Sequence, residues 1–210
     1  MKKVLLLIIS IPISAFGSSL ILKASIGTGA WDAVSKCACS LINVKIGTFG
    51  IVTNIMLIFA QLILLKKDFR PIQFLQFGMS FILGNAVNFF YYDVFSNIVI
   101  HSYFIKIGLC LLGTIINSAA VGMIIKINIV TFPMGGFVKA VSDKVHKSYG
   151  LCRQAMDVFC ILVVIFLVVV FHATMSLREG TILSMLVFGP CVDFFMKKFE
   201  PILIQEGNQI

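Results

Sequence analysis

Charge is what this sequence has least of. Asp, Glu, Lys and Arg make up 12% of its 210 residues, against about 25% in an ordinary soluble domain. Acids are the scarcer sign, nine against seventeen basic residues. So little charge excludes a soluble globular domain, and the connections between the apolar runs are too short to hold a separate one. The three histidines, His101, His146 and His172, sit near predicted helix ends and share no spacing suited to a metal or haem. The six cysteines show neither zinc-site spacing nor a Cys-x-x-Cys pair, and Cys37 and Cys39, two apart, would point to different faces of a helix. They read as small hydrophobes. Paired catalytic aspartates, a nucleophile elbow, a phosphate loop and an Asp-rich motif are all missing. The sequence therefore predicts no metal, no cofactor and no enzyme.

Apolar residues occupy the chain instead, with 59% hydrophobic content and a mean hydropathy of +1.03. They fall into six runs, Val4–Leu22, Phe49–Leu65, Ile72–Tyr92, Phe104–Ile125, Ala155–Phe171 and Thr181–Met196. Each approaches the roughly 20 residues that a bilayer core requires, the last falling slightly short. The expected fold is all-α and integral to a membrane, one domain over residues 1–210 with about six transmembrane helices. Met1-Lys2-Lys3, an apolar run and Ala15-Phe16-Gly17 imitate a secretory signal. The run is long enough to span, however, and reads as an uncleaved first helix. Two further segments, Gly29–Asn43 and Pro133–His146, are helix-like but short, rich in small residues and marked by charges. That suits an extra short re-entrant or interfacial helix better than a lipid-facing span.

A net charge of +8 would suggest nucleic acid in a soluble protein. Here the lipid bilayer is the partner, no nucleic acid is implied, and only the distribution of charge along the loops is informative. With six spans and the N-terminus inside, twelve basic residues fall on the cytoplasmic side and five outside. With eight spans the division is nine to six, and Lys36 and Lys139 are stranded mid-membrane. Six spans fit the positive-inside rule better, and both termini are then cytoplasmic.

One unit is written twice. Shifted by 103 positions, Lys23 meets Lys126, Thr28 meets Thr131, Lys36 meets Lys139 and Gly47 meets Gly150. In a chain where Ile, Leu and Val coincidences are cheap, only such polar and glycine matches count. Repeat one covers residues 1–95 and repeat two residues 104–198. Three spans per repeat make the second copy enter from the opposite side, so the repeats are inverted. Many secondary transporters share this architecture, with a site near the midplane where irregular segments approach.

Polar residues within the apolar runs mark candidate positions, because a charge in lipid normally faces a partner or a wet cavity. Asp157 lies just inside the fifth run, Arg153 stands one turn before it, and Asp157 overlays Asn54 in the other repeat. The pair reads either as substrate or ion coordination or as a structural ion pair. Asp193 overlays Asn88 when the third and sixth spans are aligned on Gly84 and Gly189, but Lys197, four residues on, offers it a surface salt bridge. Asp32 and Lys36 share a face of the first short helix. If that helix is interfacial, its charges are solvated and Trp31 anchors in the headgroups. If it is re-entrant, its N-terminus offers backbone amides, and Asp32 there favours a cation or zwitterion over an anion. The candidate substrate-binding residues are thus Asp32, Lys36, Asn54, Asn88, Arg153, Asp157 and Asp193. Gly17-Ser18-Ser19, Gly108 to Gly113 and Ser118-Ala119-Ala120-x-Gly122 predict close helix packing.

Trp31-Asp32 after a small-residue turn, Ile46-Gly47-Thr48, Gly150-Leu151-x-Arg153-x-x-x-Asp157, Gly180-Thr181-Ile182 and Gly189-Pro190 together resemble the YczE/YyaS/YitT group of small multipass bacterial membrane proteins. The resemblance covers nearly the whole chain and implies a protein of the bacterial inner membrane for which transport is often supposed. Two positions depart from the group's pattern: Ala30 stands where a proline usually precedes Trp-Asp, and Gly135 where the second half usually carries an acid. Two functions follow as expectations. One is a transporter or exporter of a small-molecule substrate; the other is an accessory membrane protein that binds a membrane or cytoplasmic partner and moves nothing.

Overall fold

The computed structural model describes residues 2–127, 129–147 and 149–205, and every regular element among them is helical. The helices are α1 Lys2–Ala24, α2 Ala30–Ile42, α3 Ile46–Leu65, α4 Leu75–Asn88, α5 Tyr103–Ile127, α6 Pro133–Val145, α7 Tyr149–Phe171 and α8 Glu179–Gln205. Five of them, α1, α3, α5, α7 and α8, are long and apolar enough to cross a membrane. Large apolar side chains such as Phe104, Ile63 and Leu186 stand on the outside, while Ser19, Gln61, Gln76, Ser80 and Ser118 are buried. This reverses the soluble pattern. In lipid the outer faces need no water, and helices are held by close contact at small residues and by hydrogen bonds.

The third apolar run departs from expectation. In place of one long helix, Pro71–Phe74 forms a 3₁₀ turn, α4 takes 14 residues, and Phe89–Val94 continues it as a π-helical stretch. Pro71 suits the start of such a turn because its φ is preset and its missing N–H is not needed there. In the π stretch, rings pack side by side, Phe90 meeting Phe16 of α1 with centroids 5.3 Å apart.

The core of the bundle is α1 against α5, in opposite directions. Gly17 and Gly113 let the two backbones touch, since a Cβ on Gly17 would stand 2.8 Å from the Gly113 carbonyl oxygen. One turn along, Ser14 Oγ donates to Asn117 Oδ1 at 2.6 Å. Helix α8 runs alongside α5, with Gly122 facing Val192 and Phe195, and Lys126 paired with Glu200 at 2.8 Å. The predicted small-residue contacts therefore form at Gly17, Gly113 and Gly122. Gly108 has nothing near it. Helices α3 and α4 meet at Gly47 and Gly84, where a Cβ on either residue would overlap the other's carbonyl oxygen.

Helices α2 and α6 are each 13 residues long, about 20 Å at the helical rise and too short to span. Both end on a left-handed residue, Asn43 at φ 51° and His146 at φ 53°. Each rests on a long helix from the other half of the chain: α2 packs along α7, and α6 along α3. On α3, the buried Gln61 donates to the Pro133 carbonyl at the start of α6 and exchanges amide bonds with Gln76 of α4. Gly136 leaves room for these amides. On α7, Val164 packs in an apolar cluster with Ala33 and Cys37 of α2.

Candidate functional site

The link from α1 to α2 turns sharply at Ser25, φ 56°, and at Gly27, φ 128°, a conformation that side chains rarely adopt. The turn is stitched to the first residues of α8. Gly180 N donates to Ile26 O at 2.8 Å, and Thr28 N to Thr181 Oγ1 at 3.3 Å. Thr28 itself is fully buried, and its hydroxyl has no partner among the described residues. This fixed turn delivers the start of α2, where Gly29 provides no side-chain cap. Asp32 is the acid of the first turn, placed where a negative charge meets the positive end of the helix dipole.

The first turns of α7 bring Arg153 and Asp157 to the same place. Arg153 Nε donates to Asp157 Oδ2 at 3.3 Å, with the two side chains 29% and 14% exposed. The other oxygen, Asp157 Oδ1, is buried and has no hydrogen-bond partner among the described residues. Arg153 also acts on Asp32: burial pushes the Asp32 carboxyl up to about 6, and the guanidinium pulls it back down. Two carboxylates from two helices thus lie in the field of one guanidinium, and Asp157 is the one bonded to it. Such a cluster leaves a surplus of negative charge in surroundings that hydrate it poorly, and suits a proton, a small cation or the ammonium end of a zwitterion.

Trp31 packs with Leu57 of α3, Met134 and Val138 of α6 and Cys152 of α7. Three helices therefore wall the start of α2. Trp31 thus belongs to an inter-helix cluster, in which it is partly buried. Asn54, three residues before Leu57 on α3, is buried and makes no side-chain hydrogen bond among the described residues. Neighbours three apart share a helix face, so its amide is aligned with the same wall.

The remaining candidates lie elsewhere. Lys36 is separated from Asp32 in its electrostatics: burial lowers its pKa, and Arg178, beyond the far end of α7, lowers it further. Asn88 clamps α3 to α4, its Oδ1 accepting from Gly47 N at 2.9 Å and its Nδ2 donating to Thr48 Oγ1 at 3.0 Å. Asp193 is exposed on α8 and forms no ion pair with Lys197 among the described residues. Sequence reasoning passed over Gln61 and Gln76, although two glutamines within apolar runs were a readable signal. It also passed over the hydroxyls of Thr114 and Ser184, 3.4 Å apart between α5 and α8.

Comparison with known families matches residues 1–197 of the chain. The chain belongs to DUF6198, a family of unknown function. No curated protein and no solved structure matches it. The DUF6198 region runs from α1 into α8 and so contains the whole of the Asp32, Arg153 and Asp157 cluster.

Proposed function

We propose that this protein is a small-solute transporter or exporter of the bacterial inner membrane, folded as two inverted three-span repeats with both termini cytoplasmic. One observation carries the reading. Asp32 at the start of a helix too short to span, and Arg153 with Asp157 from the other half of the chain, converge on one place where a buried carboxylate oxygen has no partner. Charged groups inside a membrane bundle are costly unless they serve a path or a ligand. The surplus negative charge favours a cation or zwitterion.

Several features support the repeat. Helices α2 and α6 have equal length, begin 103 residues apart and end on left-handed residues also 103 apart. Their packing is exchanged between halves, α2 on α7 and α6 on α3. The hydrogen-bonded Ser14 and Asn117, at the central α1–α5 contact, are 103 residues apart as well, as repeat equivalents on a pseudo-two-fold axis would be. In this reading α4 and its π-helical continuation together make the third span. The resemblance to the YczE/YyaS/YitT group agrees with it. Alternating access would come from the two short helices moving with the long helices they rest on.

The accessory-protein reading draws on Asn88, Gln61 and Gln76, whose amides are spent on holding helices together. Metabolite profiles of cells with and without the protein identify the solute, and Asp157→Asn then separates the readings. Transport predicts the deletion profile with protein at its normal level. A wild-type profile from well-folded Asp157→Asn overturns the site, and loss of the protein itself points to a structural ion pair.

A further inference from the structure

Helix α6 is too short to cover α7, and between them lies a cavity of about 350 Å³. Its walls include Phe137 and Val141 of α6 and Cys152, Ala155 and Phe159 of α7, and its single charged wall residue is Lys147. Leu151 and Phe159 at its edge are more than half exposed, so the slot opens sideways onto the surface that faces hydrocarbon.

Lys147 is held at one end of this slot. Ser142 Oγ donates to Lys147 O at 2.7 Å, and Lys147 N donates to Ser142 O at 3.3 Å. The residue stands two positions before α7 begins, where the apolar span meets the membrane surface. Lys144 is exposed on the preceding turn. Neither lysine forms an ion pair among the described residues, whereas Lys139 is paired with Asp143 at 2.6 Å. An apolar slot with one lysine in its wall and a second exposed on the preceding turn, neither ion-paired among the described residues, has the chemistry of one ligand class: an acyl chain carrying an anionic headgroup.

We propose that the α6–α7 slot is a binding site for an anionic phospholipid, one acyl chain lying between Phe137, Ala155 and Phe159 and the phosphate resting on Lys147 and Lys144. The slot shares Val138 and Cys152 with the wall around Trp31 but is lined by none of Asp32, Arg153 and Asp157, and the proposal does not depend on transport. The lipid would fill the flank that the short helix leaves open and tie α6 to α7.

Native mass spectrometry of the whole protein in detergent, titrated with phosphatidylglycerol and with phosphatidylcholine of the same chains, tests it. The anionic lipid should be retained about fivefold more tightly for each lysine engaged. Lys147→Gln should lower that preference about fivefold while leaving phosphatidylcholine retention unchanged. Ala155→Phe, which fills the slot from an exposed position, should weaken both lipids. Phe159→Ala, which removes a wall without adding bulk, should do the same, and size-exclusion profiles check that each variant is folded. Equal retention of the two lipids by the unmodified protein, or undiminished phosphatidylglycerol retention in both slot variants, overturns the proposal. So does a change of oligomeric state in the slot variants with lipid retention intact, which would make the slot a contact between copies.

Discussion

Asp157 and Asn88 are both polar side chains carried by apolar helices, and only one of them has its hydrogen bonds answered. Asn88 gives both ends of its amide to the start of α3, whereas Asp157 keeps one oxygen buried and unpaired. The Arg153–Asp157 pair was legible in the sequence because four residues on one helix make neighbours. The approach of Asp32 to the same guanidinium was not, since it joins residues far apart in the chain, and nothing local in α2 announces α7. Asp32 can be tested by pH. Its folded carboxyl titrates near 6, above the ordinary value of 3.8, so the folded state holds that proton more tightly than the unfolded chain does. The stability this group contributes is fully present below about pH 4 and lost as pH rises through about 6. Thermal unfolding in detergent should therefore rise for the wild type relative to Asp32→Asn between pH 7.5 and pH 4.5. Parallel curves for the two proteins would contradict the burial of Asp32 against α7.

At the scale of the element, close packing decides what each helix tolerates. Gly47 and Gly50 lie one turn apart on α3, yet a Cβ at Gly47 overlaps the Gly84 carbonyl oxygen, and at Gly50 it meets nothing. Gly47→Ala should cost about 2 kcal/mol or more by forcing α3 from α4, while Gly50→Ala should be neutral or stabilising by up to about 1 kcal/mol. Unfolding midpoints of the two variants in the same detergent check the contrast. Gln61→Leu strips Gln76 and the Pro133 carbonyl of their partner in a buried setting, and should cost about 1–2 kcal/mol. Helix positions followed from hydropathy for α1, α3, α5, α7 and α8, whose apolar runs are long. Within Ile72–Tyr92 the apolar content is continuous while the backbone changes from 3₁₀ to α to π. Average hydropathy carries no information on that. The glycine contacts were readable as a class, but Gly108 shows that a small residue without a facing backbone leaves only open space.

For the molecule as a whole, the exchanged packing of α2 on α7 and α6 on α3 makes each half incomplete without the other. If the halves are inverted copies, equivalent positions must face opposite sides of the membrane, a relation that no parallel duplication produces. Ile42 and Val145 suit this test. They are the last residues of α2 and α6, stand 103 positions apart and are 55% and 50% exposed. All six native cysteines are free, and five of them are buried, so their replacement by alanine or serine gives a background in which a single introduced thiol reports alone. In that background, a membrane-impermeant maleimide added to intact cells should label Ile42→Cys and spare Val145→Cys; inside-out vesicles should reverse the pattern. Labelling of both from one side would leave α2 and α6 as parallel copies. The positive-inside assignment of the loops would then fail with the repeat, because the same three-span count per half produces both.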